Sequence, residues 1–354
     1  MNETLTITSL PNSTKQVLLV GNFLSKMTGS RGICEELAPR LRARQWQVIT
    51  TSDKVGRLAR LRDMIQTAWQ QRQHYRIAQV DVYSGSAFIW AEAVCAVLRQ
   101  MSKPYVLILR GGDLPFFAQQ WPGRVRQLLS SAVSVTTPSR YLLQELRPFR
   151  ADLTLLPNPL ALSQYEFRLR QHLQPCLIWL RALHDVYNPG MAVQVLAQLV
   201  SDFPNVHLLM VGPDKGDGSW QATQQLAAKL SVDQKLTMVG GIPKAQVPLY
   251  LNKGDIFLNT TTIDNTPISV MEAMACGLCV VSTNVGGVPY LLANEEDGLL
   301  VNSQDVVGMK TAVHNLFTNP TLAAQLSQNG RDKVKQFDWE VILPQWEQLL
   351  LAAQ

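Results

Sequence analysis

Short apolar runs alternate with amphipathic segments along most of this 354-residue chain, and that alternation leaves few folds open to it. Strands of a parallel sheet are covered by helices on both faces, so they read as unbroken apolar runs rather than as every-other-residue patterns. A first series comprises VLLV (17–20), QVITT (47–51), VDVY (80–83), YVLIL (105–109), VSVTT (133–137) and LTLL (153–156), with helices expected at about 32–43, 57–72 and 87–99. A polar, irregular stretch from 157 to about 175 then breaks the rhythm, and its X-Pro steps end strands or turn the chain. A second series follows: CLIWL (176–180), VHLLMV (206–211), LTMV (236–239), DIFLN (255–259), CVVS (279–282) and GLLV (298–301). The expectation is an α/β protein of two doubly wound, Rossmann-like domains, residues 1–160 and 176–337, facing across a cleft at the strand carboxyl ends. Residues 161–175 are the expected linker. Ile342, Trp346, Leu349 and Leu350 have helical spacing, so residues 338–354 are expected to form a helix packing back across the domains.

Composition supports this size of structure. With 46% hydrophobic and 17% charged residues the chain has an ordinary globular balance, and no run approaches the about 20 apolar residues that span a bilayer. The N-terminus lacks the basic start and apolar core of a secretory signal, which gives a cytoplasmic expectation. Five cysteines without a second paired cluster argue against a disulfide framework or structural zinc, and Cys276 and Cys279 are read as small buried residues. His74, His172, His207 and His314 have no metal-ligand spacing.

Charge is uneven. Residues 1–160 hold 20 Lys/Arg against 10 Asp/Glu, whereas residues 161–354 hold 12 against 17. Within 54–72, Leu58, Leu61, Ile65 and Trp69 fall at helical spacing among basic residues. Such a helix suits an anionic membrane surface, and it equally suits a surface helix whose apolar stripe faces the core. No nucleic-acid motif accompanies the charge, so no nucleic-acid partner is expected.

The most informative local stretch is DNTPISVMEAMACG (264–277), which joins a strand end to a helix. Thr266 is expected as the N-cap and Pro267 as the first helical residue. The helix start Asn265-Thr266-Pro267-Ile268-Ser269, with the free amides of its non-proline residues, surrounds a place suited to a phosphate or diphosphate. Glu272 lies farther along the helix, where a carboxylate cannot aid anion binding but can accept hydrogen bonds from hydroxyls such as those of a ribose.

Asp264 and Glu272 with seven residues between them, followed by AMACG, VVSTNVGGVPYLL and DGLLV, resemble the C-terminal block of family-4 (group 1) retaining glycosyltransferases of GT-B fold. The resemblance implies that Glu272 holds the donor ribose and that the residue at Asp264 contacts the donor sugar near its reacting carbon. The family has glutamate at that first position, so Asp264 keeps the charge and shortens the reach. Arg181, directly after CLIWL, resembles the family's diphosphate arginine, while the lysine that usually follows it is missing from HDVYNPG (184–190). Lys215 and Lys253 are candidates to replace it. Gly212, Gly241 and Ile242 are implied to border the nucleotide, and Gly29 and Ser30, in the turn after the first strand, to approach the donor. Arg31, Arg110 and Asp113 are the acceptor-side candidates, and Asn158 marks the expected hinge. These residues imply transfer of a sugar from a nucleotide sugar to a hydroxyl acceptor, such as a glycolipid or polysaccharide precursor. Protein cations serve the leaving diphosphate, with no metal, because no DxD triplet is present, and no cofactor beyond the nucleotide sugar is expected. Two alternatives stay open: a non-transferring enzyme of the same fold, such as a nucleotide-sugar epimerase, and a protein that binds the sugar nucleotide without efficient turnover.

Overall fold

The computed structural model describes residues 15–25 and 32–354. The turn carrying Gly29, Ser30 and Arg31 therefore lies outside the described residues. Among the described residues, twelve strands form two six-stranded sheets in which the pairings are all parallel. The first contains β1 (Gln16–Val20), β2 (Gln47–Thr51), β3 (Ile77–Val82), β4 (Tyr105–Leu109), β5 (Ser134–Thr137) and β6 (Thr154–Leu155), in the order β2-β1-β3-β4-β5-β6. The second contains β7 (Cys176–Leu180), β8 (His207–Val211), β9 (Leu236–Val239), β10 (Ile256–Asn259), β11 (Cys279–Thr283) and β12 (Leu299–Val301), in the order β12-β11-β10-β7-β8-β9. The α/β, doubly wound architecture expected from the sequence is the one observed.

Residues along each central strand divide between two cores. Leu18 and Val20 of β1 join one apolar cluster and Val17 and Leu19 the other, and Leu177 and Trp179 of β7 likewise part from Ile178 and Leu180. This two-residue alternation with apolar groups on both faces is what produces continuous apolar runs. Chain direction reverses its order of travel between β1 and β3 in the first sheet and between β7 and β10 in the second, and crevices at such switch points are where open α/β sheets take ligands.

Two expected elements differ in detail. The 161–175 segment is no loose connector: Arg170 is buried, donating from Nη2 to Asn252 Oδ1 at 2.8 Å and from Nε to Asp255 Oδ1 at 3.3 Å, while Gln174 N donates to Asp255 Oδ2 at 2.8 Å. Arg170 and Tyr165 face protein, while the other polar residues of the segment stay exposed. In the helix Arg57–Gln70 the buried positions are Arg60, Met64 and Ala68, whereas Leu58 is 84% exposed and Trp69 is also exposed. The apolar stripe is thus split: Leu58 and Trp69 look outward, whereas Leu61 is half-buried and Ile65 packs on the first core beside Arg60, whose guanidinium turns in to bond Lys54 O at 2.8 Å and Asn22 Oδ1 at 3.2 Å and lies over Trp90.

The last helix, Trp339–Ala352, returns to the first domain. Trp339, Ile342, Leu343, Trp346 and Leu350 share a core with Val17, Leu19, Leu37 and Leu41. Its indoles are fastened as well, Trp339 Nε1 to Glu36 Oε2 at 3.1 Å and Trp346 Nε1 to Gln79 Oε1 at 2.7 Å. Where the chain crosses out at Leu160 and back at 337–339, the two crossings bond one another: Leu160 N donates to Phe337 O at 2.7 Å and Trp339 N to Leu160 O at 3.1 Å. Among the described residues no helix is long and apolar enough to cross a membrane.

Candidate functional site

Arg181 leaves the carboxyl end of β7 and Asp264 lies in the loop leaving β10, so both stand at the switch point of the second sheet. The loop is fixed from below. Trp179 Nε1 donates to Thr260 Oγ1 at 2.9 Å, Thr260 Oγ1 donates to Tyr187 O at 2.8 Å, and Thr262 N donates to Val186 O at 2.9 Å. These bonds tie the ends of β7 and β10 together through the 184–190 turn.

The glycine pair in VVSTNVGGVPYLL supports the loop from the other side. Gly287 N donates to Asp264 O at 2.8 Å, and a Cβ at Gly287 would stand 1.6 Å from Asn265 O. Gly286 has φ +52, and a Cβ there would lie 2.2 Å from Asp264 O. Backbone passes so close only where side chains are absent. Gly212 serves the neighbouring strand the same way: at φ +154 its Cβ would sit 1.7 Å from Arg181 O. Gly241 lies against Pro213, and Ile242 packs on the core that takes in Val270 and Met271.

Arg181 Nη2 and Asp264 Oδ2 form an ion pair, with side chains 17% and 12% exposed. The two groups given separate roles by the sequence thus meet each other. Arg181 Nε is buried without a hydrogen-bond partner. Burial lowers the guanidinium from its ordinary value, while Tyr187, whose ring lies 4.7 Å from the guanidinium carbon, and Glu272 draw it upward. A buried cation with unmade bonds is a site for an anion that can supply acceptors.

The helix after the loop runs Ile268–Cys276, one residue later than expected, with Pro267 in the N-cap place and no side-chain cap bond. Thr266 is therefore not the cap. Its Oγ1 turns to Pro138 O of the first domain at 3.5 Å, and Asn265 accepts a hydrogen bond from Ser139 Oγ beside it. Both residues thus touch across the cleft. Ser269 Oγ, at the uncapped helix start, is buried without a hydrogen-bond partner.

Glu272 is 3% exposed, and its Oε1 accepts from Tyr165 OH and pairs with Lys244 Nζ. Neither partner was evident from sequence. Tyr165 comes from the segment expected to be a linker, and burial followed by Glu272 raises its phenol well above the ordinary value. Lys244 follows Ile242-Pro243 in the turn after β9, and its position just beyond Gly240-Gly241 was the available signal. Lys253, one proposed substitute for the missing cation, lies over the Tyr250 ring at 4.4 Å, and Lys215 is held by its backbone amide to Leu183 O at 3.2 Å.

On the first domain, Arg110 needs correction as a cleft-facing cation. Its side chain is 6% exposed, paired through Nε with Asp81 Oδ1 at 3.4 Å, donating from Nη1 to Asn158 Oδ1 at 2.9 Å and lying over Trp346. A buried carboxylate, the crossing segment and the last helix hold it inward. Asp113 is exposed and occupies an N-cap position without a side-chain cap bond. Gly112 faces the Asn265 backbone, where a Cβ would meet Asn265 N at 3.6 Å. Cys276 and Cys279 are buried free thiols, and no group of metal-binding side chains is present among the described residues.

Residues 167–333 match the family model for glycosyl transferases group 1. Among curated proteins the chain is 26% identical over 227 residues to a GDP-mannose-dependent alpha-(1-6)-phosphatidylinositol monomannoside mannosyltransferase of Mycolicibacterium smegmatis, covering 58% of this chain and 59% of that one. It is 28% identical over 159 residues to a D-inositol 3-phosphate glycosyltransferase of Segniliparus rotundus, covering 45% and 35%. The chain thus spans between about a third and three fifths of these relatives. Among solved structures, sucrose-phosphate synthase of Thermosynechococcus elongatus superposes with a TM-score of 0.81 at 19% identity, over 96% of this chain and 100% of that one. Anabaena HepE in complex with UDP and glucose gives 0.75 at 16%, again over 96% and 100%. These likenesses are of fold, and the GT-B arrangement of two Rossmann-like domains is the fold of this chain.

Proposed function

We propose that the chain transfers a sugar from a nucleotide-sugar donor to a hydroxyl acceptor, with retention of configuration and with protein cations serving the diphosphate. What carries the reading is Arg181, a largely buried guanidinium paired with Asp264 and with its Nε left without a hydrogen-bond partner, at the switch point of the stretch matching group 1 glycosyltransferases. Donor diphosphate would displace Asp264 from Arg181 and take up its free N–H groups together with the amides at the start of the Ile268–Cys276 helix. Those donors stabilise the charge that grows on the departing diphosphate as the glycosidic bond breaks, which lowers the barrier most where water is excluded. Asp264, released, would hold hydroxyls of the donor sugar, and Glu272 those of the ribose. The Asn265–Ser139 and Thr266–Pro138 contacts bring the two domains together over this place and so keep water from competing with the acceptor.

Acceptor-dependent release of nucleoside diphosphate, with the donor base identified first by thermal stabilisation with UDP, GDP, ADP and CDP, tests the reading. Release should be lost in a folded Arg181→Ala variant; equal release by that variant would refute it. Binding without transfer is the second reading, favoured by Asp264 being tied to Arg181 instead of standing free. Nucleotide binding with no donor consumption under any acceptor would select it.

The acceptor side has its own support. Val55 and Leu58 stand exposed beside Arg57 and Arg62, and Leu58, Leu61 and Ile65 line a groove of about 450 Å³. Basic charge around exposed apolar groups matches an anionic lipid surface, on which an acceptor such as a glycolipid precursor would be presented.

A further inference from the structure

Two ion pairs stand together in the donor site, Arg181 with Asp264 and Lys244 with Glu272, and their charges cancel. They are electrically coupled, since Glu272 offsets part of the lowering that burial imposes on the Arg181 guanidinium. A nucleoside diphosphate entering this neutral site brings negative charge that the two closed pairs do not balance. Arg181 alone supplies one cation, and the 184–190 turn contributes no lysine.

Lys244 is built differently from its partner. Glu272 is nearly inaccessible, whereas the Lys244 side chain is 33% exposed and rises from a short turn. Tyr165 OH and Lys244 Nζ both meet Glu272 Oε1, so Oε2 accepts from neither. Removing Lys244 from this carboxylate without replacement would leave a buried charge uncompensated, which is strongly unfavourable. A ligand can move it only by doing two things at once: giving Glu272 new hydrogen-bond donors and giving Lys244 a new anion. A ribose diol joined to a diphosphate does both.

We infer that Lys244 is the second diphosphate cation of this site, held on Glu272 until the donor arrives and exchanged onto the phosphates as the ribose hydroxyls take its place. The inference rests on the donor-site reading given above. It makes the ion pair a selectivity element: either half of the ligand alone must break the Lys244–Glu272 pair without compensating both partners, so nucleoside and pyrophosphate separately bind poorly. No bond is made or broken covalently; one N–H donor set is traded for another.

The experiment is titration calorimetry of the full chain and of Lys244→Gln and Lys244→Arg variants with UDP, GDP and ADP, with the nucleoside of whichever base binds, and with inorganic pyrophosphate. Lys244→Gln should weaken the nucleoside diphosphate at least about tenfold, the worth of one charge-assisted hydrogen bond, while its affinity for the nucleoside stays level or rises because Glu272 is released. Lys244→Arg should recover most of the diphosphate affinity. A Lys244→Gln variant that loses nucleoside and nucleoside diphosphate by the same factor, or neither, would overturn the inference, the first outcome marking Lys244 as support for the turn and the second as a surface group. Absence of binding by any of the three diphosphates to the unaltered chain would overturn the donor-site reading and this one with it; diphosphate binding by the unaltered chain that Lys244→Gln leaves unchanged overturns only the latter.

Discussion

Alanine at Gly287 would set a methyl group 1.6 Å from Asn265 O and 3.2 Å from its Cα. Real Cβ atoms stay at least 3.0 Å from backbone, so the Asp264–Asn265 loop must retreat by 1.4 Å or more, and no flexible side chain is available to move instead. Gly287 itself sits at φ −84, which alanine adopts freely, so the perturbation is purely one of space. Overpacking of this kind costs about 1–3 kcal/mol in stability. The larger effect is on the site, because the displaced residues are Asp264, paired with Arg181, and Asn265, which meets Ser139. A misplacement near 1 Å in a reacting geometry is worth about a hundredfold in rate. Gly287→Ala should therefore keep a cooperative melt, lose a few degrees, and lose about two orders of magnitude in donor turnover. Gly240→Ala is the control, since a Cβ there meets nothing within 4 Å. Donor turnover in Gly287→Ala within twofold of the unaltered chain would refute the idea that the glycine pair sets the loop.

Further outcomes can be checked independently. Trp346→Ala removes a fully buried indole and its bond to Gln79, and should cost about 3–5 kcal/mol in chemical denaturation; a loss below about 1 kcal/mol would show that the last helix contributes little to the first domain. Burial pushes the Cys95, Cys276 and Cys279 thiols up to about 12, so iodoacetamide at pH 8 should modify half-buried Cys176 in the native protein before any of these three, as read by peptide mass spectrometry. Because those folded-state values lie above the ordinary one, the stability they contribute is complete below about pH 8.5 and is lost as pH rises toward 12; melting temperatures that climb between pH 9 and 11 would contradict the sign. Leu58→Glu with Arg62→Glu should abolish co-sedimentation with phosphatidylglycerol vesicles without changing the melting temperature, whereas retained binding would remove the groove from consideration.

Strand identity was legible where the sheet is covered on both faces, as at β4, β7 and β11, because nothing polar interrupts the run. It blurred at β3, which begins at Ile77 rather than at Val80: Gln79 and Asp81 are polar yet buried, bonded to Trp346 and Cys34, residues distant in sequence. The same long-range satisfaction hid Arg170 in 161–175, a buried arginine whose partners Asn252 and Asp255 lie in another element. On the Arg57–Gln70 helix the spacing of Leu58, Leu61 and Ile65 was read correctly as a stripe, but spacing carries no information about how much of it meets the core, and a buried arginine shares the inner face. Arg181, Asp264 and Glu272 could be singled out from strand ends and motif. Lys244, Tyr165 and the inward turn of Arg110 could not, since each is defined by a partner in another element.

The paired crossings at Leu160 and 337–339 limit how the two domains can move. A single connecting chain would let one domain swing, twist and slide relative to the other. Here outgoing and returning segments are laced by the bonds from Leu160 N to Phe337 O and from Trp339 N to Leu160 O, and the returning chain ends in a helix sunk into the first core. Such a seam works as a door hinge of two leaves: the soft coordinate is rotation about its own line, while torsion and translation must first tear hydrogen bonds. Any opening and closing would then retrace one arc, which would bring the loop at Asn265 back to its seat at Ser139.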